Sequence, residues 1–139
     1  MYIRFTVGRQ DERSGSAEGL FTVAYRELSS GTLADYEREW LNELLAWFKK
    51  KVKIPGSVLR EEVNRRAICW FRESSKEVVS KAAELVLFLR ERGYYLETHR
   101  TEEPGIIVYE DGHQVAAKPF RKTRRYFRRA IHEGKYDEK

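Results

Sequence analysis

The fold is decided by the stretch AICWFRESSKEVVSKAAELVLFLRERGYYLET, residues 67–98. It opens with a continuous apolar run over residues 67–71, which is too short for a helix and is typical of a buried strand. Apolar residues at three- and four-residue steps then predict a helix over 75–92, which ends before Gly93. A second strand follows over 94–99. The strand, helix and strand have the dimensions of a βαβ unit, whose two strands run parallel if they share a sheet.

A hairpin is predicted on the C-terminal side of this unit. Asp111-Gly112 separates two strand-like runs, over 106–110 and 113–118. Asp-Gly between strands favours a type I′ turn, which requires positive φ at both central residues. The resulting register sets Glu110 opposite His113.

On the N-terminal side, alternating apolar residues predict a strand over 2–8, followed by a polar loop over 8–16. Two helices are expected over 20–28 and 33–52, and Thr32 is a good N-cap for the second. The predicted fold is therefore α+β: a small mixed sheet of about five strands, with a βαβ unit and a C-terminal hairpin, packed by three helices. A basic C-terminal helix over 120–133 is added to this body, so the expected division is one domain over 1–119 and a helix and tail over 120–139.

Composition limits the class of protein. The chain has 139 residues, is 41% hydrophobic, and contains a single cysteine. It has no apolar run of the roughly 20 residues that span a bilayer, so we expect no membrane association. One cysteine cannot form an internal disulfide, which suits a cytoplasmic protein. Cys69 falls in the predicted core strand, where a buried, inert thiol is expected.

The charge is concentrated at the C-terminal end. The basic tail, residues 118–139, carries nine cationic and three anionic side chains, a net of +6. Residues 1–117 carry 18 cationic and 19 anionic side chains, a net of −1. Such a dense basic segment is a typical footprint for phosphate, and an aromatic side chain beside it can stack on a base. The predicted nucleic-acid-binding residues are Lys118, Arg121, Lys122, Arg124, Arg125, Tyr126, Arg128 and Arg129.

Three functions stay open at this point. The first is a non-enzymatic accessory protein that contacts DNA or RNA phosphates through the basic tail. The second is an adaptor or inhibitor that docks on an acidic protein surface through the tail, or through the aromatic helix 33–52. The third is a small metal-assisted hydrolase that uses acids and histidines near the hairpin. The candidate residues for this hydrolase are Glu97, His99, Glu102, Glu103, Glu110, Asp111 and His113.

Motifs favour the non-enzymatic hypotheses. The histidines and acids match no metal-ligand spacing, and the glycines form no phosphate-binding loop. We therefore predict no catalytic residue, no metal and no cofactor. The stripe of Trp40, Trp47 and Phe48 is expected in the core.

The second half of the body resembles a pattern found in small bacterial proteins with no known activity. The resemblance covers residues 67–119 and includes Cys69-Trp70-Phe71, Pro104-Gly105 and the run from Tyr109 through Asp111 to Gln114-Val115. It implies a bacterial or phage cytosolic setting. It implies nothing about chemistry.

Overall fold

A computed structural model of the protein describes residues 1–10, 17–53 and 66–120. Of the basic tail it therefore includes only the first residues, and the predicted helix 120–133 lies outside the described residues beyond Phe120. The strands in this part of the chain are β1 (Tyr2–Gln10), β2 (Ala17–Gly19), β3 (Ile68–Arg72), β4 (Glu97–Thr101), β5 (Ile106–Glu110) and β6 (Gln114–Lys118). The helices are α1 (Leu20–Ser29), α2 (Asp35–Lys51) and α3 (Lys76–Glu91).

The described strands form one sheet in the order β2-β1-β3-β6-β5, with β4 paired to β1. β1 is antiparallel to both β3 and β4, so β3 and β4 run parallel with β1 between them. The predicted α+β fold and the parallel course of the two strands flanking α3 are therefore confirmed. The sheet differs in one detail, since every pair of neighbouring strands is antiparallel rather than mixed. The reason is that the N-terminal strand inserts into the βαβ unit.

The sheet is curled. β4 and β5 lie at opposite ends of the path β4-β1-β3-β6-β5, which spans about 19 Å at about 4.8 Å per strand spacing. Along the strands, Thr101 is level with Tyr2 at one end, whereas Ile106 is level with Lys118 at the other. The connection from Thr101 to Ile106 covers five Cα steps, or at most about 18 Å. In a flat sheet this connection would be too short to join β4 to β5. The two edges of the sheet must therefore bend toward each other.

The main core lies between one face of the sheet and the three helices. Leu44 of α2 and Leu85 of α3 are buried there, as the helical periodicity predicts, together with Phe48 and Phe71. Ile68, Trp70 and Val115 form a second, smaller cluster. Alternation along β3 explains the division, because successive side chains point to opposite faces of the sheet.

The β5–β6 hairpin is present, but its predicted turn is wrong. Glu110 pairs with Val115 rather than His113, and positive φ among the described glycines occurs at Gly31, Gly93 and Gly105 but not at Gly112. The Asp111 carboxylate accepts the backbone N–H groups of His113 and Gln114 at 2.8 and 3.0 Å. This Asx-type arrangement makes Asp111 the first residue of the turn, which removes the need for a left-handed glycine.

Three features of the N-terminal half also differ from the prediction. β1 extends to Gln10, and the three-residue strand β2 precedes α1. So short a strand leaves no alternating pattern in the sequence. Residues 11–16 of the predicted loop lie outside the described part of the chain. α2 begins at Asp35, and the backbone N–H of Ala34 donates to Glu37 Oε1 at 2.9 Å, so Thr32 is not the N-cap.

Candidate nucleic-acid interface

The basic tail leaves the body at the end of β6. Lys118 is the last residue of that strand and is half-buried, and Phe120 is 36% exposed just after it. The Gly105 backbone lies close against this point: its φ is +131°, and a Cβ there would lie 2.1 Å from the carbonyl oxygen of Lys118. Only glycine fits such a position. The other predicted binding residues lie outside the described residues: Arg121, Lys122, Arg124, Arg125, Tyr126, Arg128 and Arg129.

Several arginines of the body are already paired with acids. Arg26 contacts Glu18 at 2.6 Å, Arg72 contacts Glu110 at 2.8 Å, and Arg38 lies 3.5 Å from Asp35. The opposite charges of each pair cancel one another, so little electric field remains to attract a distant phosphate. This local pairing is consistent with the near-neutral count for residues 1–117.

Lysines at one end of the helical layer behave differently. We call Lys49, Lys50, Lys53 and Lys76 the lysine cluster. All four are exposed, and none of their side chains has an ion pair or hydrogen bond within the described ranges. The C-terminal end of α2 meets the start of α3 here, since Lys51 Nζ lies 3.6 Å from Glu77 Oε1.

A buried polar network joins the three helices at their other end. Glu27 of α1 is 6% exposed, and its carboxylate accepts Arg92 Nε at 2.6 Å and Tyr94 OH at 3.0 Å. Arg92 also donates to Thr32 Oγ1 at 2.8 Å, which explains why Thr32 does not cap α2. Burial, together with donation to the Glu27 carboxylate, raises the pKa of Tyr94. An acid on the apolar face of a helix, four residues after Val23, is the one sequence signal of this network.

The hairpin acids have structural partners. The Asp111 carboxylate accepts a hydrogen bond from Tyr109 OH at 3.1 Å, in addition to those from the two backbone N–H groups of the turn. Partial burial opposes ionisation of this carboxyl, but the hydrogen bonds outweigh it and lower the pKa of Asp111. His113 Nδ1 lies 2.8 Å from Ser75 Oγ. Within the described residues, no group of three or more His, Cys, Asp or Glu side chains is placed to hold a metal ion.

Cys69 is exposed rather than buried, so that expectation is wrong. β1 pairs with β3 only at Tyr2 and Ile3 and then with β2 from Thr6 onward, which opens a fork in the sheet. Cys69 lines a cavity of about 170 Å³ at this fork, together with apolar side chains that include Phe5. Ligand pockets usually measure about 300–1,000 Å³, so the cavity is small for an organic substrate.

The aromatic stripe of α2 packs largely inward. Trp40 lies against Phe88 with ring centroids 5.0 Å apart, and Trp47 lies against Phe48 at 5.1 Å. Both tryptophans are half-buried and pack against the core. Tyr36, by contrast, is 75% exposed on the first turn.

No family model, no curated protein and no solved structure matches this chain. The likeness of residues 67–119 to small bacterial proteins therefore stays an expectation. Among the helices in the described ranges, none combines the length and apolar character needed to cross a bilayer.

Proposed function

We propose that this protein binds nucleic acid phosphates through its basic tail and catalyses no reaction itself. The observation that carries the proposal is the separation of charge. The tail has a net of +6 in 22 residues, and its first twelve positions, 118–129, hold seven cations and no acid. The remaining residues have a net of −1.

The dense positive charge of the basic tail favours binding to a polyanion such as DNA or RNA. Each cation that neutralises a phosphate releases condensed counterions, and this release supplies most of the free energy of non-specific binding. A folded body does not need such a segment, since like charges side by side repel one another. Phosphates placed along the segment would remove that repulsion.

The point of attachment supports the same function. The Gly105 backbone lies close against that of Lys118, so the tail departs from a defined place at the end of β6. Phe120, 36% exposed, and Tyr126 offer rings beside the cations, on which unpaired bases can stack. The expected ligand is therefore DNA or RNA bound mainly by its backbone, without strong sequence preference.

The test is a pair of variants, one that removes the positive charge of the tail and one that keeps it. In the first, Arg121, Arg124, Arg125, Arg128 and Arg129 are all replaced by Gln; in the second, the same five are replaced by Lys. The Gln variant should keep the wild-type melting temperature and lose retention of labelled DNA and RNA at low salt. The Lys variant should keep most of the binding, because counterion release depends on charge. If the Gln variant binds like wild type, the tail is not the interface.

A protein that docks on the aromatic helix 33–52 is the second candidate partner. The specific observation in its favour is Tyr36, which is 75% exposed on the aromatic helix, since exposed tyrosines are common anchors in protein interfaces. Such binding should persist in moderate salt and should be weakened by Tyr36→Ala. Nucleic acid binding should be insensitive to that substitution.

A further inference from the structure

The lysine cluster (Lys49, Lys50, Lys53 and Lys76) has no evident role in holding the fold together. A helix C-terminus carries about half a negative charge, which one or two cations near it satisfy. α2 ends with Lys49, Lys50 and Lys51 in its last turn, and Lys53 follows after Val52. Neighbouring ammonium groups repel one another, and the cluster has no ion pairs among the described residues that would offset the repulsion.

Two other lysines, Lys51 and Lys81, border the cluster and have partners of their own. Lys51 is held by Glu77 at 3.6 Å and lies 6.0 Å from the centre of the Trp47 ring. Lys81 lies 5.8 Å from the same ring. These contacts tie α2 to α3 and keep Lys51 and Lys81 on the helix surface. The four lysines of the cluster remain directed to solvent beside them.

The cluster is anchored to the strand that ends at the tail. Gln114 is 2% exposed, and its Nε2 donates to the carbonyl oxygen of Val52 at 2.5 Å. Gln114 and Lys118 are four residues apart on β6, so they share a face and lie about 14 Å apart. Phosphates of one strand repeat every 3.4 Å along a duplex, so about four spacings cover this separation. The cluster therefore lies near one end of β6, and the tail begins at the other end of the same strand, within the length of a short oligonucleotide.

We infer that the lysine cluster is a second phosphate-binding surface, which contacts the same nucleic acid molecule as the basic tail. The inference rests on the proposed function, because it assigns the same class of ligand. Contacts at two places, the cluster and the tail that begins at Lys118, would fix the direction of the nucleic acid across the protein. The tail alone supplies affinity without such orientation.

The experiment compares two triple variants of equal charge in the full-length protein. The test variant is Lys49→Gln, Lys50→Gln and Lys53→Gln. The control variant is Arg38→Gln, Arg90→Gln and Arg100→Gln, which removes three positive charges outside the cluster, from two exposed positions and the half-buried Arg38. Fluorescence anisotropy with a labelled 20-mer, single-stranded and duplex, gives Kd as a function of salt. Melting temperatures show that both variants fold.

The test variant should bind at least about tenfold more weakly at low salt, and the log–log salt slope should become shallower by about 2 to 3. The control variant should change neither value by a comparable amount. Equal behaviour of the two triple variants would overturn the inference and leave the tail proposal standing. Loss of binding in the lysine variant with full binding in the five-Gln tail variant would instead refute the proposed function and keep the cluster. Binding of wild type to phosphatidylserine vesicles but not to DNA or RNA would overturn both.

Discussion

Replacement of Glu27 by Gln tests whether the buried network holds the three helices together. The side chain keeps its shape and loses its charge, which leaves Arg92 and Tyr94 facing a neutral amide at 2.6 and 3.0 Å. Breaking a buried ion pair costs about 3–5 kcal/mol. The Arg92 side chain is 24% exposed, so water can replace part of what is lost. We therefore expect the lower end of that range, about 3 kcal/mol.

The assay is equilibrium unfolding in urea, followed by far-UV circular dichroism. With a urea m-value of about 2 kcal/mol/M, the midpoint should fall by about 1.5 M. Glu84→Gln, an exposed position on α3, is the matched control and should shift the free energy of unfolding by less than about 0.5 kcal/mol. Tyr94→Phe should cost less in the Glu27→Gln background than alone, because the two residues are coupled. A Glu27→Gln midpoint within error of the Glu84→Gln midpoint would show that the network does not stabilise the fold.

Three further predictions concern single positions. Gly105→Ala forces a Cβ against the backbone of Lys118 and strains a φ of +131°, so it should cost about 1–3 kcal/mol in a thermal melt, whereas Gly8→Ala, with open space around it, should be nearly neutral. Asp111 has a lowered pKa in the folded state, so its contribution to stability is complete above a pH of about 4 and is lost as the pH falls through the folded-state value. The destabilisation caused by Asp111→Asn should therefore be measurable at pH 7 and shrink below pH 4; a constant difference would contradict this. Cys69 is exposed, so a thiol reagent such as DTNB should modify it in the native protein, and modification that requires urea would show it to be buried.

Much of the fold follows from local patterns in the sequence. The helices α1, α2 and α3 are predicted within a few residues because their apolar faces repeat at helical spacing. β3 and β5 are likewise found as short apolar runs. β2 is missed because three residues cannot show an alternation.

Other features depend on contacts between distant parts of the chain. Cys69 is exposed because β1 leaves β3 to pair with β2, and no local pattern encodes that fork. The pair of Glu27 and Arg92 joins residues 65 positions apart. The turn at Asp111 follows from side-chain hydrogen bonds that the Asp-Gly dipeptide does not specify. The lysines at 49–53 are visible in the sequence, but their meeting with the start of α3 is visible only in the structure.

The salt dependence of nucleic acid binding tests the central claim most directly. Wild-type protein is titrated into labelled single-stranded and duplex DNA and RNA from about 50 to 200 mM salt, and log Kd is plotted against log salt. If the tail neutralises about five phosphates and the lysine cluster adds more, affinity falls with a log–log slope of magnitude at least about 4 to 5. No binding at the lowest salt, or affinity that does not change with salt, would contradict the account.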